Sequence, residues 1–237
     1  MNASPDGFFA TTRWTMVRNA GASAADALES LCGAYWFPIY AYVRRHGFSK
    51  EDAEDLTQAF FAKLLERRDF AGLNQENGRF RAFLLAVLKH FLANERDRVG
   101  RLKRGGDITH FSLDWQSADA QFQIADGAQV PPDAAYDREW AMALLERVVV
   151  HLGEEFAAEG KAERFEGMTP FLTMGKGEIP YATAAADLSM DEGALRVAVH
   201  RLRKRYRELL KEEIAHTLSD PEMVDEELAV LLGAFSS

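Results

Sequence analysis

At 237 residues, 47% of them hydrophobic and 27% charged, the chain has the composition of a globular protein with room for one large core or two small ones. A single cysteine, Cys32, excludes an intramolecular disulfide framework and suits a reducing, cytoplasmic setting. The N-terminus has no basic region followed by an apolar one, and no apolar run approaches the roughly 18 residues of a membrane span, so neither export nor membrane insertion is expected.

Apolar residues recur at intervals of three and four and strand-like alternation is absent, which predicts an all-α protein. Over residues 24–45, Leu28, Leu31, Tyr35, Ile39 and Tyr42 form a helical face that Pro38 either kinks or divides. Gly47 breaks the chain, and Ser49 with Asp52 reads as a capping box. The segment DAEDLTQAFFAKLLERRDF then places Leu56, Phe60 and Leu64 inward and Asp52, Asp55, Gln58 and Lys63 outward. A third helix over residues 79–99 is expected to bury Phe83, Leu84, Val87, Leu88, Phe91 and Leu92 and to complete an N-terminal bundle spanning residues 1–100.

Residues 101–135 hold no sustained period, contain Gly105-Gly106 and Pro131-Pro132, and read as a flexible interdomain linker in which Phe111, Leu113 and Trp115 are the anchoring exceptions. The second domain, residues 136–237, opens with a helix over 136–159 that turns Trp140, Leu144, Val148 and Leu152 to one side. A shorter helix over 165–172 follows. In IPYATAAADLSMDEGALRVAVHRLRKRYREL, Pro180 starts a short helix, Ser189-Met190 turns the chain, and Asp191 is the expected N-cap of a second helix. This is the length and order of a helix-turn-helix. Leu195, Val199, Leu202, Tyr206 and Leu209 make the buried stripe, and Arg196, His200, Arg203 and Arg207 form an outward row at spacings of four, three and four. From Ser219 onward the tail reads as an extra amphipathic helix.

The formal net charge is -9, yet cations are concentrated in two islands. One holds Lys89, Arg96, Arg98, Arg101, Lys103 and Arg104 against only Glu95 and Asp97; the other is the second helix of the helix-turn-helix, with Arg201, Lys204 and Arg205 besides the outward row. A basic helix face is often no more than a solvated surface, but a short helix, turn and N-cap in front of it favour entry into a major groove. Arg196 and His200, near the start of that helix, are placed to read bases, and Arg203, Lys204 and Arg207 to hold phosphates. In the first island, Phe80, Phe83, His90, Phe91, Arg96 and Arg98 combine aromatic and basic groups as single-strand binding requires, although periodicity puts Phe83 and Phe91 in the core. No catalytic constellation is present: the six histidines form no metal-ligand pair, Gly175 and Gly177 follow no strand and precede no Gly-Lys-Ser/Thr, and the carboxylates of EDAED read as a solvated or partner-facing surface. Neither enzymatic activity, a cofactor nor a metal is expected.

The order DAEDLTQAFFAKLLE, RFRAFLLAVLKHFLANERDR, linker, YATAAADLSMDEGALRVAVHRLRKRYRELL resembles a bacterial RNA polymerase sigma factor of the extracytoplasmic-function class, over about residues 24–215. The resemblance implies that Asp52, Asp55, Leu56, Gln58, Phe61, Lys63 and Leu64 bind the clamp helices of the largest subunit of core RNA polymerase. It implies contacts with the minus-ten element of promoter DNA for Phe80, His90, Asn94, Arg96, Arg98 and Arg101. For the minus-thirty-five element it implies Glu192, Arg196, Val197, His200, Arg201, Arg203, Lys204 and Arg207. It also admits an anti-sigma or other regulatory protein as a partner. The chain departs from the pattern in having His90 and Asn94 where such factors commonly carry Asn and Asp, Ser189 where the turn usually has Gly, and Val197-Ala198 where many carry Ser-Arg. Promoter sequence therefore does not transfer. Two other classes fit less of the chain: a helix-turn-helix regulator with a ligand-sensing or dimerising N-terminal bundle, and a helical adaptor whose basic islands are surface decoration.

Overall fold

A computed structural model of the chain describes residues 30, 32–66, 78–99, 121–122, 130–173 and 179–235. The fold is all-α: among these residues the regular elements are α1 (Trp36–Arg45), α2 (Lys50–Glu66), α3 (Phe80–Val99), α4 (Pro132–Ala158), α5 (Ala162–Met168), α6 (Pro170–Thr173), α7 (Tyr181–Asp187), α8 (Glu192–His216), a 3-10 turn (Pro221–Met223) and α9 (Val224–Gly233). The only extended pairing among them is an isolated bridge between Arg79 and Leu218.

Local chemistry sets the element ends. The chain breaks at Tyr35, so Pro38 falls in the first turn of α1, where its missing N–H satisfies nothing in any case; it divides the expected helix instead of kinking it. Ser49 Oγ accepts the Asp52 N–H at 3.1 Å and donates to the Asp52 carboxylate at 2.9 Å, the cap expected for α2. The linker was expected to run to Ala135, but Pro132 opens α4, because a proline ring presets the helical φ at a first helical position. Residues 165–172 do not form one helix: α5 starts earlier, at Ala162, and Pro170 begins the separate α6.

The helices group into two compact units, one comprising residues up to Ala143 together with Ile214 onward, the other Leu144 to Glu213. Neither boundary coincides with the expected division at Tyr136, since the first turns of α4 and the tail both belong with the bundle. In the first unit the buried residues include Tyr35, Ile39, Tyr40, Val43, Phe60, Phe80, Leu84, Leu88, Tyr136 and Trp140. Trp140 is stacked on Tyr35 with centroids 4.0 Å apart and is met edge-on by Phe80 at 5.9 Å, and such pairs add about 0.5–1.5 kcal/mol each beyond the area they bury. The tail is held to the start of α3 by charge and backbone together. Phe80 N–H donates to the Thr217 carbonyl, Ser219 N–H donates to the Gly78 carbonyl, and the buried Glu227 carboxylate lies between Arg79 and Arg81. Arg81 also pairs with Asp137 of α4. In the second unit the buried residues include Leu144, Val148 and Leu152 of α4 and Leu195, Val199, Leu202 and Leu209 of α8, as periodicity indicates, together with Met168, Phe171, Ala185 and Leu210; Tyr206, expected in the α8 stripe, is only half-buried. Of the residues from 101 to 120, including Phe111, Leu113 and Trp115, none is among those described.

Candidate nucleic-acid and partner interfaces

In the second unit, α7 is a run of small helix-forming residues that ends in a Schellman turn: Met190 N–H donates to the Ala185 carbonyl at 2.8 Å and Ser189 N–H to that of Ala186 at 3.1 Å. The turn puts Ser189 at φ 50°, the one non-glycine residue with positive φ among those described. Asp191 then caps α8, its carboxylate accepting the Ala194 N–H at 3.1 Å. Gly167 of α5 comes so close to Leu188 that a Cβ there would lie 2.5 Å from Cδ2, which seats the turn on α5. The result is the short helix, tight turn and long helix that the sequence led us to expect.

The cations of α8 divide into two groups. Facing solvent are Arg196, His200, Arg201, Lys204 and Arg207, with Val197 beside them at 52% exposure. Arg196 donates from Nε and Nη2 to one oxygen of Glu192, at 3.1 and 2.6 Å, and its Cζ lies 4.3 Å from the centroid of the Tyr181 ring. Arg207 donates to the Arg203 carbonyl at 3.2 Å, and Lys204 lies 3.8 Å from Glu208. His200 and Arg201 make no polar side-chain contact among the described residues.

The other group is turned inward. Arg203, expected in the outward row as a phosphate contact, is half-buried and donates from both Nε and Nη2 to the Phe171 carbonyl, at 3.0 and 2.8 Å. The reason is local: α6 is four residues long and leaves its carbonyls without helical partners, so a guanidinium within reach is recruited to satisfy one. Arg205 is likewise committed, to Glu155 and Glu212. Its hydrogen bond is the main cause that holds the Glu155 carboxyl below the usual range, and the same bond raises the Arg205 guanidinium.

In the first unit, α2 meets α1 on one side and presents Phe60 to Phe91 of α3 at 5.7 Å on another. Two neighbours cover a wider arc than the single stripe read from the sequence. Of the seven residues assigned to polymerase binding, Gln58, Phe61 and Leu64 are therefore buried, at 9%, 1% and 2% exposure. Gln58 was expected to point outward and does not. Asp52, Asp55 and Lys63 do, and with half-buried Leu56, Ala59 and Ala62 they form a stripe along the free side of α2.

Among the residues assigned to the minus-ten element, Phe80 is fully buried against Trp140 and Phe83, so it offers no stacking face to a base. Its backbone has recruited the tail and its ring the core. His90, Asn94 and Arg96 are exposed on α3. Arg96 lies over the Phe48 ring at 5.6 Å and donates to the His46 carbonyl at 3.2 Å. His90 and Asn94 line, with Lys63, Phe60, Leu64, Val87 and Phe91, an open cavity of about 90 Å³, so residues expected to serve two different partners border one concavity between α2 and α3. The side chain of Arg98, and Arg101 altogether, lie outside the described residues.

Tyr181 and Phe171, whose rings meet at a tilt of 33° with centroids 4.7 Å apart, were not singled out as site residues in the sequence, although an aromatic residue directly after the helix-starting Pro180 was a usable signal. No signal pointed to the carbonyl that captures Arg203. Comparison of the chain with protein-family models, with curated proteins and with solved structures found no match. Among the described residues no helix is long and apolar enough to cross a membrane.

Proposed function

We propose that this chain is a sigma factor of the extracytoplasmic-function class, which binds core RNA polymerase in the cytoplasm and directs it to promoters. The observation that carries the reading is the exposed cationic row of α8 on the second helix of a tightly turned pair, Arg196, His200, Arg201, Lys204 and Arg207. Such a helix fits a major groove, here that of the minus-thirty-five element, with its first turns toward base edges and its later turns toward phosphates. The exposed stripe of α2, with Asp52, Asp55, Leu56 and Lys63, is the polymerase contact. His90, Asn94 and Arg96 of α3 attend the opened strand at the minus-ten element, where basic and hydrogen-bonding groups are needed beside apolar surface.

The test is transcription in vitro with purified core polymerase and a library of promoter fragments. Added chain should give initiation at a defined subset of fragments and should co-purify with core. Paired Asp52→Arg and Asp55→Arg substitutions, both on exposed positions, should abolish co-purification and leave helicity by circular dichroism unchanged. Failure of the unaltered chain to associate with core overturns the reading, and a homodimer that binds a palindrome without core would replace it with a conventional regulator.

A further inference from the structure

Arg196 is the first exposed cation of α8, and its guanidinium is engaged on two sides within the chain itself. Glu192 Oε1 accepts from both Nε and Nη2, which occupies the side edge of the fork. The Tyr181 ring covers one face, and that ring is itself packed at a tilt against Phe171, whose carbonyl is gripped by Arg203. Among the described residues nothing meets the end edge, the outward hydrogens of Nη1 and Nη2. Two parallel donors at that separation match the N7 and O6 acceptors that guanine alone presents together in the major groove.

Charge separates this arginine from its neighbours. The Arg196–Glu192 pair is close to neutral as a unit, so the long-range pull of phosphates on it is largely cancelled while its short-range donors remain. Arg201, exposed and with no carboxylate on it among the described residues, keeps its full attraction to the backbone. A fork held by neighbours and neutralised discriminates between bases; an unpaired cation binds any sequence.

We propose that Tyr181 and Glu192 are positioning residues for sequence reading, holding Arg196 with its end edge outward so that α8 selects guanine at one position of its duplex site. This rests on the reading of α8 as a groove-entering helix and adds to it the base and the two residues that enforce the choice.

The experiment is selection from a random duplex library by the full chain, alone and bound to core RNA polymerase, with binding to one selected and one scrambled duplex followed across a salt series. The unaltered chain should favour guanine at one position by about 5- to 150-fold, the range for a bidentate arginine contact, and Arg196→Ala should erase that preference at that position alone. Tyr181→Leu should lower the preference by about two- to tenfold, never by more than Arg196→Ala does, and leave the scrambled duplex within about twofold, whereas Tyr181→Phe, which keeps the ring, should retain it. Glu192→Ala, at a half-buried position in the first turn of α8, should lower the preference and steepen the salt dependence by about one phosphate contact, with helicity by circular dichroism unchanged. If the guanine preference survives both Tyr181→Leu and Glu192→Ala, or if Arg196→Ala weakens both duplexes equally, the positioning role is overturned while groove binding by α8 stands. If the unaltered chain selects no sequence in either form, groove binding fails and the positioning role falls with it.

Discussion

Ser189 sits at the C′ position of a Schellman turn with φ of 50°, a conformation that brings an L-residue's Cβ against its own carbonyl at about 1–2 kcal/mol. Glycine removes that contact but has more freedom to lose on folding. Ser189→Gly should therefore raise stability only modestly, by about 0.5 kcal/mol, and Ser189→Val should lower it by about 1–2 kcal/mol, both read from urea unfolding. Tyr42 offers a second test at this scale. Burial, and then the Asp133 carboxylate to which its hydroxyl donates at 3.2 Å, push its pKa from 10.0 up to about 12. The fold thus favours the neutral phenol; the resulting stability is present in full below pH 10 and is lost as pH rises through about 12. The stability gap between the unaltered chain and Tyr42→Phe should shrink between pH 9 and pH 12 in unfolding experiments.

The elements differ in how much of them could be read in advance. Helix α2 was legible at its start, because Ser49 and Asp52 make a contact three residues long, and illegible along its side, because the burial of Gln58 and Phe61 depends on two other helices. The cap of α8 by Asp191 and the tight turn before it were legible for the same reason as the Ser49 cap. The docking of α9 was not. Arg81 and Glu227 are 146 residues apart, and nothing in either neighbourhood names the other. That pairing is nevertheless the most exposed to single substitutions. Glu227→Gln removes the buried carboxylate that Arg79 and Arg81 share and leaves them only Glu226 and Asp137, and the cost should be about 1–3 kcal/mol in chemical denaturation. Replacing both residues by apolar ones of similar volume, Arg81→Met with Glu227→Leu, should recover part of that loss, since the desolvation of both charges is removed together.

At the scale of the whole molecule, the bundle and the tail stand or fall together. Removing residues 220–237 deletes Glu226 and Glu227, the tail partners of Arg79 and Arg81, and with them the apolar contacts that bury Val224 and Leu231 against the rest of the unit. Hydrogen exchange should then report faster opening of the first turns of α3, with α5 and α7 unchanged. The same arrangement has a consequence for how the chain is made. One unit is continuous in sequence, from Leu144 to Glu213, while the other is assembled from a stretch before it and a stretch after it. A ribosome releases residues in order, so the unit that begins first cannot be finished until α9 has emerged, and the unit that begins second is finished earlier. During that interval Arg79 and Arg81 have no Glu227 to meet, and the bundle waits in an incomplete state whose duration is set by the rate of translation and not by its own folding rate. A stop codon between Glu213 and Glu226 would therefore leave a finished second unit attached to an unfinished first one.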